Sequence, residues 1–113
     1  MAHVFLTIDT ELAWRHHVAG LSPAALVERS MEPAGVGIGY QLGVLARHGL
    51  KACFFVDPMP ALVHGLAPIR AVVAAILAAG QEVQLHLHPN WGGADAADRA
   101  RHARFELIDY GPA

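Results

Sequence analysis

Short apolar segments alternate along the chain with amphipathic ones, and this pattern predicts three strands separated by helices. The predicted strands are His3–Ile8, Lys51–Val56 and Glu82–His88. The first consists of apolar and β-branched residues without polar alternation, which is typical of a strand covered on both faces. The pattern therefore predicts an α/β fold class.

Helix signals fill the connections between these strands. Ser22 and Pro23 form an N-cap and first-turn pair that starts a short helix through about Arg29. Over about Val36–His48, apolar residues recur at spacings of three and four, and Gly49 stands where a left-handed residue would end the helix. Two further helices are predicted, over Pro68–Ala79 and Ala94–Arg104.

This alternation has a consequence for where a site can lie. Strands joined by helices run parallel, through right-handed crossovers, so the pattern describes parallel βαβ units. Parallel strands bring their C-terminal ends to one edge of the sheet, where ligand sites of such sheets and barrels lie. Three strands also leave sheet edges exposed, so we expect either a piece of a larger α/β domain or a chain that needs a partner, such as a homo-oligomer that covers the edge.

Composition and charge limit the function classes. The 113 residues suffice for a single domain, 1–113, and 54% of them are hydrophobic, unlike a disordered segment. A net charge of −2 without a Lys/Arg run argues against a nucleic-acid partner. The longest apolar run, Ala71–Ala79, is too short to cross a bilayer, and the N-terminus has no basic region. We therefore expect a cytoplasmic chain without membrane contact.

Two histidines at the end of the third predicted strand are the first candidate ligands. His86 and His88 are two residues apart, so on a strand their imidazoles project from the same face. Both can then reach one divalent ion, and imidazole suits zinc and other first-row metals. The alternative is a pair of polar residues on the rim of a sheet.

Two acids at the end of the first predicted strand are the other candidate residues of a metal site. A carboxylate directly after a buried strand is costly to desolvate unless it binds a cation or accepts several hydrogen bonds. Asp9 and Glu11 would fit one metal ligand and one general base. The alternative is that one of them caps the helical turn that follows.

Other polar and aromatic residues near strand ends have two interpretations each. Asp57 follows the second strand, where it would lie at the site rim or form an Asx turn before Pro58. Trp91 would pack the floor of the site or stack on a sugar ring, or it would be buried in the core. His16 and His17 would line a substrate groove or, as we expect, be solvated loop residues.

Three segments in order, LTIDTE, RHGLKACFFVDP and GQEVQLHLHPNW, resemble the NodB-type polysaccharide deacetylases, a group of carbohydrate esterases. The resemblance covers about Val4–Trp91. It implies a distorted (β/α) barrel, of which this chain would be the first half and therefore an incomplete domain. It also implies a divalent metal, usually zinc with cobalt or nickel as alternatives, and removal of N- or O-acetyl groups from an acetylated carbohydrate.

The resemblance also implies roles for the acids and the histidines. Asp9 matches the family's general base, and His86 matches the first metal histidine. Thr10 stands where the family has a metal-binding aspartate, and Glu11, one place later, would replace it. This is a departure from the family motif.

A second departure concerns the other metal histidine. The family places it four residues after the first, where this chain has Asn90. His88 is the natural substitute for this ligand. Asn90, Trp91 and Asp57 are then expected to contact the substrate.

Two other functions are compatible with these residues. FLTIDTE also resembles the start of haloacid-dehalogenase-like phosphatases, which would make Asp9 a nucleophile and leave the histidines without a role. Alternatively, the chain is an inactive, truncated deacetylase fragment, because the later motifs of that family do not follow.

Overall fold

A computed structural model describes residues 1–94 and 111–112 of the chain. Its three strands have four residues each, and helices lie between them. The strands are β1 (Thr7–Thr10), β2 (Cys53–Val56) and β3 (Glu82–Leu85). The helices are α1 (Trp14–Val18), α2 (Pro23–Met31), α3 (Ile38–Arg47), α4 (Ala61–His64) and α5 (Ala67–Ala78), with 3-10 turns at Pro33–Gly35 and Pro89–Gly93. The helix predicted over Ala94–Arg104 lies, from Asp95 onward, outside the described residues.

The three strands form one parallel sheet in the order β1-β2-β3. Its register aligns Asp9 with Phe55 and Phe55 with Gln84, so these residues form one row across the sheet. The predicted mixed α/β class with a parallel sheet is confirmed. Both β1 and β3 are edge strands of the sheet described.

The sheet has one covered face and one open face. On the covered face, Phe54 is 0% and Val56 4% exposed, and they belong to a core with side chains from α2, α3 and α5. On the open face, Thr7, Asp9 and Gln84 are exposed. The expectation that the first strand is covered on both faces is therefore wrong, because the helices that pack on the sheet in the described part of the chain cover only one side.

The boundaries of the outer strands also differ from the predicted ones. β1 begins at Thr7 and not at His3, and the apolar residues Val4 and Phe5 before it are each 84% exposed. Apolar character does not show where pairing begins. Asp9 consequently lies inside β1, whereas it was expected just beyond the strand. β3 ends at Leu85.

The three longer predicted helices are confirmed to within about two residues. Ser22 caps α2 by accepting a hydrogen bond from the N–H of Ala25 at 3.3 Å. Gly49, with φ of 62°, takes the left-handed conformation that ends α3. The sequence did not predict α1 and α4, which are too short to show an apolar period. Within the described residues, none of the helices has the length and apolarity needed to span a bilayer.

Candidate metal centre

The parallel ladder continues past the last strand residues and aligns three side chains of the candidate site. The N–H of Asp57 donates to the carbonyl of Thr10 at 3.0 Å, and the N–H of His86 donates to the carbonyl of Val56 at 3.1 Å. The row formed by Asp9, Phe55 and Gln84 lies on the open face of the sheet. The next row on that face is two residues further along each strand and therefore consists of Glu11, Asp57 and His86.

The three predicted metal ligands, Glu11, His86 and His88, bring their ligand atoms together at this row. The Nε2 atoms of His86 and His88 are 2.9 Å apart. Oε2 of Glu11 contacts Nε2 of His88 and lies 3.7 Å from Nε2 of His86. These three ligand atoms all lie within 4.8 Å of one another, close enough to bind one metal ion. The predicted meeting of an acidic and an imidazole-rich strand end is confirmed.

One carboxylate and two imidazoles form a donor set that can hold a divalent metal ion. Bonds of about 2 Å in tetrahedral geometry place donor atoms roughly 3.3 Å apart. Two of the three separations, 2.9 Å and 3.7 Å, lie on either side of that value, whereas Glu11 and His88 are in closer contact. One carboxylate and two imidazoles are also a common catalytic zinc set, which leaves a fourth position open.

The site is accessible from solvent. The side chains of His86, His88 and Glu11 are 28%, 39% and 43% exposed, respectively. Beside them, a cleft of about 210 Å³ is lined by residues of two chain segments. They are Glu11, Leu12, Trp14, His88, Asn90 and Trp91. A small group bound in this cleft would lie next to the ligands.

Asp57 lies beneath the ligands and is only 1% exposed. Its Oδ1 accepts a hydrogen bond from the N–H of Met59 at 2.9 Å, which is the predicted Asx turn. Its Oδ2 has no hydrogen-bond partner among the described residues. Burial raises the pKa of Asp57 and outweighs the opposing effects of the N–H groups of Met59 and His88 and of the two imidazoles.

This raised pKa predicts a pH dependence of stability. The folded state holds the Asp57 proton more tightly than the unfolded chain does. The resulting stabilisation is complete below the ordinary pKa of 3.8 and is lost as the pH rises through the raised value. We expect urea unfolding of metal-free protein to show this loss as the pH rises above 3.8.

Asp57→Asn is the matched control for this pH dependence, because the amide does not titrate. The difference between the two curves therefore isolates the contribution of Asp57. Parallel curves for wild type and Asp57→Asn would contradict the expectation.

Asp9 lies close to the ligands but not among them. It precedes Glu11 by two residues on the open face of β1, about 7 Å along the strand. Its side chain is exposed, and it lines a cleft of about 260 Å³ together with Glu11, Arg15 and Ser30. Among the described residues, the group that could hold a metal includes Glu11 and not Asp9.

Trp91 and Asn90 lie beside the ligands in the 3-10 turn after His88, and they are 2% and 3% exposed. The ring of Trp91 meets that of Trp14 edge-on, with centroids 5.0 Å apart. This placement favours core burial of the tryptophan, the alternative to stacking on a sugar. The substrate contacts assigned to Trp91, Asn90 and Asp57 stay predictions.

The aromatic side chains around Trp91 form a cluster that the sequence did not reveal. Rings of His17 and His64 lie 5.2 Å and 5.9 Å from that of Trp91. His17 is 1% exposed in α1, so its assignment to a solvated loop is wrong. The spacing of Trp14 and His17, three residues apart and therefore on one face of a helix, is the signal that indicates their packing.

Comparison with known proteins does not assign the chain to a family. No family model matches the sequence, and no significant match is found among curated proteins or among solved structures.

Proposed function

We propose that the chain is a metal-dependent hydrolase of the polysaccharide-deacetylase type, with zinc as the metal and cobalt or nickel as alternatives. The observation that carries the proposal is the convergence of Glu11, His86 and His88. A parallel sheet with helices on one face is also the arrangement that a segment of a (β/α) barrel would have. The reaction would remove N- or O-acetyl groups from a carbohydrate.

The chain's own residues would divide the chemistry among them. When bound, zinc would polarise the acetyl carbonyl and lower the pKa of a water molecule. Glu11, His86 and His88 would hold it at a position that solvent can reach. Asp9, one row away on the same face, would accept the proton from the attacking water. Its exposure leaves it accessible to that water.

Acetate release from acetylated chito-oligosaccharides tests this division of roles. We expect zinc-loaded wild type to release acetate, and Asp9→Asn to be roughly 10²- to 10⁴-fold slower, as loss of a general base predicts. Asp9→Asn should bind zinc as tightly as wild type, because Asp9 is not among the ligands. His86→Ala should lose both zinc binding and acetate release.

Two other results would favour the alternative functions. Hydrolysis of p-nitrophenyl phosphate that needs magnesium and Asp9 but tolerates His86→Ala would favour the phosphatase. Tight zinc binding without acetate release would favour the inactive deacetylase fragment. Either result would overturn the proposed activity.

The proposed partners are an acetylated carbohydrate and further copies of the chain. Within the described residues, β1 and β3 have an unpaired edge, and Val4 and Phe5 before β1 are exposed, so a homo-oligomer would cover an edge and apolar surface. Cytoplasmic location and the lack of nucleic-acid and membrane partners stay predictions from the sequence.

A further inference from the structure

Asp57 combines a central position in the metal centre with nearly complete burial. It stands between Glu11 and His86 in the row that the extended ladder aligns. It is 1% exposed, whereas the three ligands above it are 28% to 43% exposed. Its carboxylate therefore faces the ligands from the protein side.

The local turn accounts for only one of the two carboxylate oxygens. Oδ1 accepts the hydrogen bond of the Asx turn, and Oδ2 is buried without a partner among the described residues. A buried ionised oxygen without compensation is strongly unfavourable, so such groups in proteins are paired or lie beside a metal ion. The turn itself does not require a charge, because asparagine forms it equally well.

We infer that Asp57 is a positioning residue of the metal centre, whose buried negative charge compensates the cation and fixes the histidine ligands. This inference rests on the proposed metal site. Together with Glu11, Asp57 would balance the two positive charges of a bound divalent ion. Asp57 is not part of the group of mutually close ligand atoms, so it acts on the ligands rather than as one of them.

A carboxylate behind metal-binding histidines is a recurrent way to orient the rings and raise metal affinity. Here the N–H of His88 and both imidazoles lie close enough to influence the carboxylate electrostatically. The segment His86–His88 lies beyond the end of β3, where ladder hydrogen bonds no longer hold the second histidine. Asp57 would supply the constraint that the strand does not.

Zinc affinity, measured by competition with a chromophoric chelator, tests the inference. We expect Asp57→Asn to bind zinc about 10- to 100-fold more weakly than wild type, as loss of an outer carboxylate typically does. The visible spectrum of the cobalt-loaded variant should be that of wild type, since the three ligands are retained. Asp57→Ser, which keeps a turn acceptor without a charge, should show the same loss.

Glu82→Gln is the matched control. Glu82 is an exposed acid on the open face four residues before His86, about 13 Å along the strand, and its variant should bind zinc like wild type. If both Asp57 variants bind zinc within twofold of wild type, the inference fails. It also fails if the cobalt spectrum of Asp57→Asn changes, because Asp57 would then be a direct ligand.

Failure of the underlying metal site gives a different result. In that case, wild type would bind no more zinc than the double variant His86→Ala, His88→Ala. The inference about Asp57 would then fall together with the proposed function. If wild type and the Asp57 variants bind zinc with equal affinity and the double variant does not bind it, only the inference is overturned.

Discussion

Replacing both His86 and His88 by alanine is expected to abolish specific binding of zinc. The two Nε2 atoms are two of the three ligand atoms that converge, and Glu11 alone would remain. A single exposed carboxylate does not hold zinc in water. Loss of an outer-shell group weakens metal binding by up to roughly 100-fold. We expect the zinc dissociation constant of this variant to rise by much more than that.

Calorimetric titration with zinc at neutral pH measures this effect. The pH must be controlled, because histidine ligands bind metal only in their neutral form. The matched control replaces two other exposed histidines, His3 and His48, by alanine and should leave the affinity unchanged. If the His86/His88 variant retained the wild-type dissociation constant, the metal centre would lie elsewhere or not exist.

The sequence predicts this part of the site because two regularities combine. Alternation along an extended segment puts His86 and His88 on one face, and parallel strands put their ends on one edge. Neither regularity depends on distant packing. The structure confirms that Glu11, which precedes His86 by 75 residues, lies beside both rings.

The parts of the fold that the sequence did not predict depend on contacts between distant segments. Val4 and Phe5 have the composition of a strand, but β1 begins only at Thr7, where regular pairing with β2 starts. For Asp57, the sequence offered an Asx turn or a place in the site. The structure shows the turn, in which the N–H of Met59 donates to Oδ1, and it places Asp57 in the same row as Glu11 and His86.

The aromatic cluster explains how three distant strand ends stay together. Trp14 and His17 follow β1, His64 follows β2, and Trp91 follows β3. The connections in which these residues lie begin at Glu11, Asp57 and His86, the three residues that form one row of the site. Their rings pack against one another with centroid distances between 4.8 Å and 5.9 Å. The cluster therefore packs the three connections against one another, which the hydrogen bonds between the strands do not do.

Replacing Trp91 by alanine is accordingly expected to destabilise the fold severely. Trp91 is 2% exposed and contacts rings from both of the other connections. Truncation of a buried tryptophan costs about 3–5 kcal/mol, a large part of the 5–15 kcal/mol that typically stabilises a domain. Urea unfolding of metal-free protein measures this loss as a lower midpoint with an unchanged slope.

Trp91→Phe and Phe5→Ala separate the cluster from general effects of removing an aromatic ring. Phenylalanine keeps a ring in the cluster and should recover part of the lost free energy, whereas Phe5 is 84% exposed and its truncation should change stability by less than about 0.5 kcal/mol. Because Trp91 lies three residues after His88, Trp91→Ala should also weaken zinc binding in whatever protein remains folded. A loss of less than about 1 kcal/mol in Trp91→Ala would show that the cluster does not hold the strand ends together.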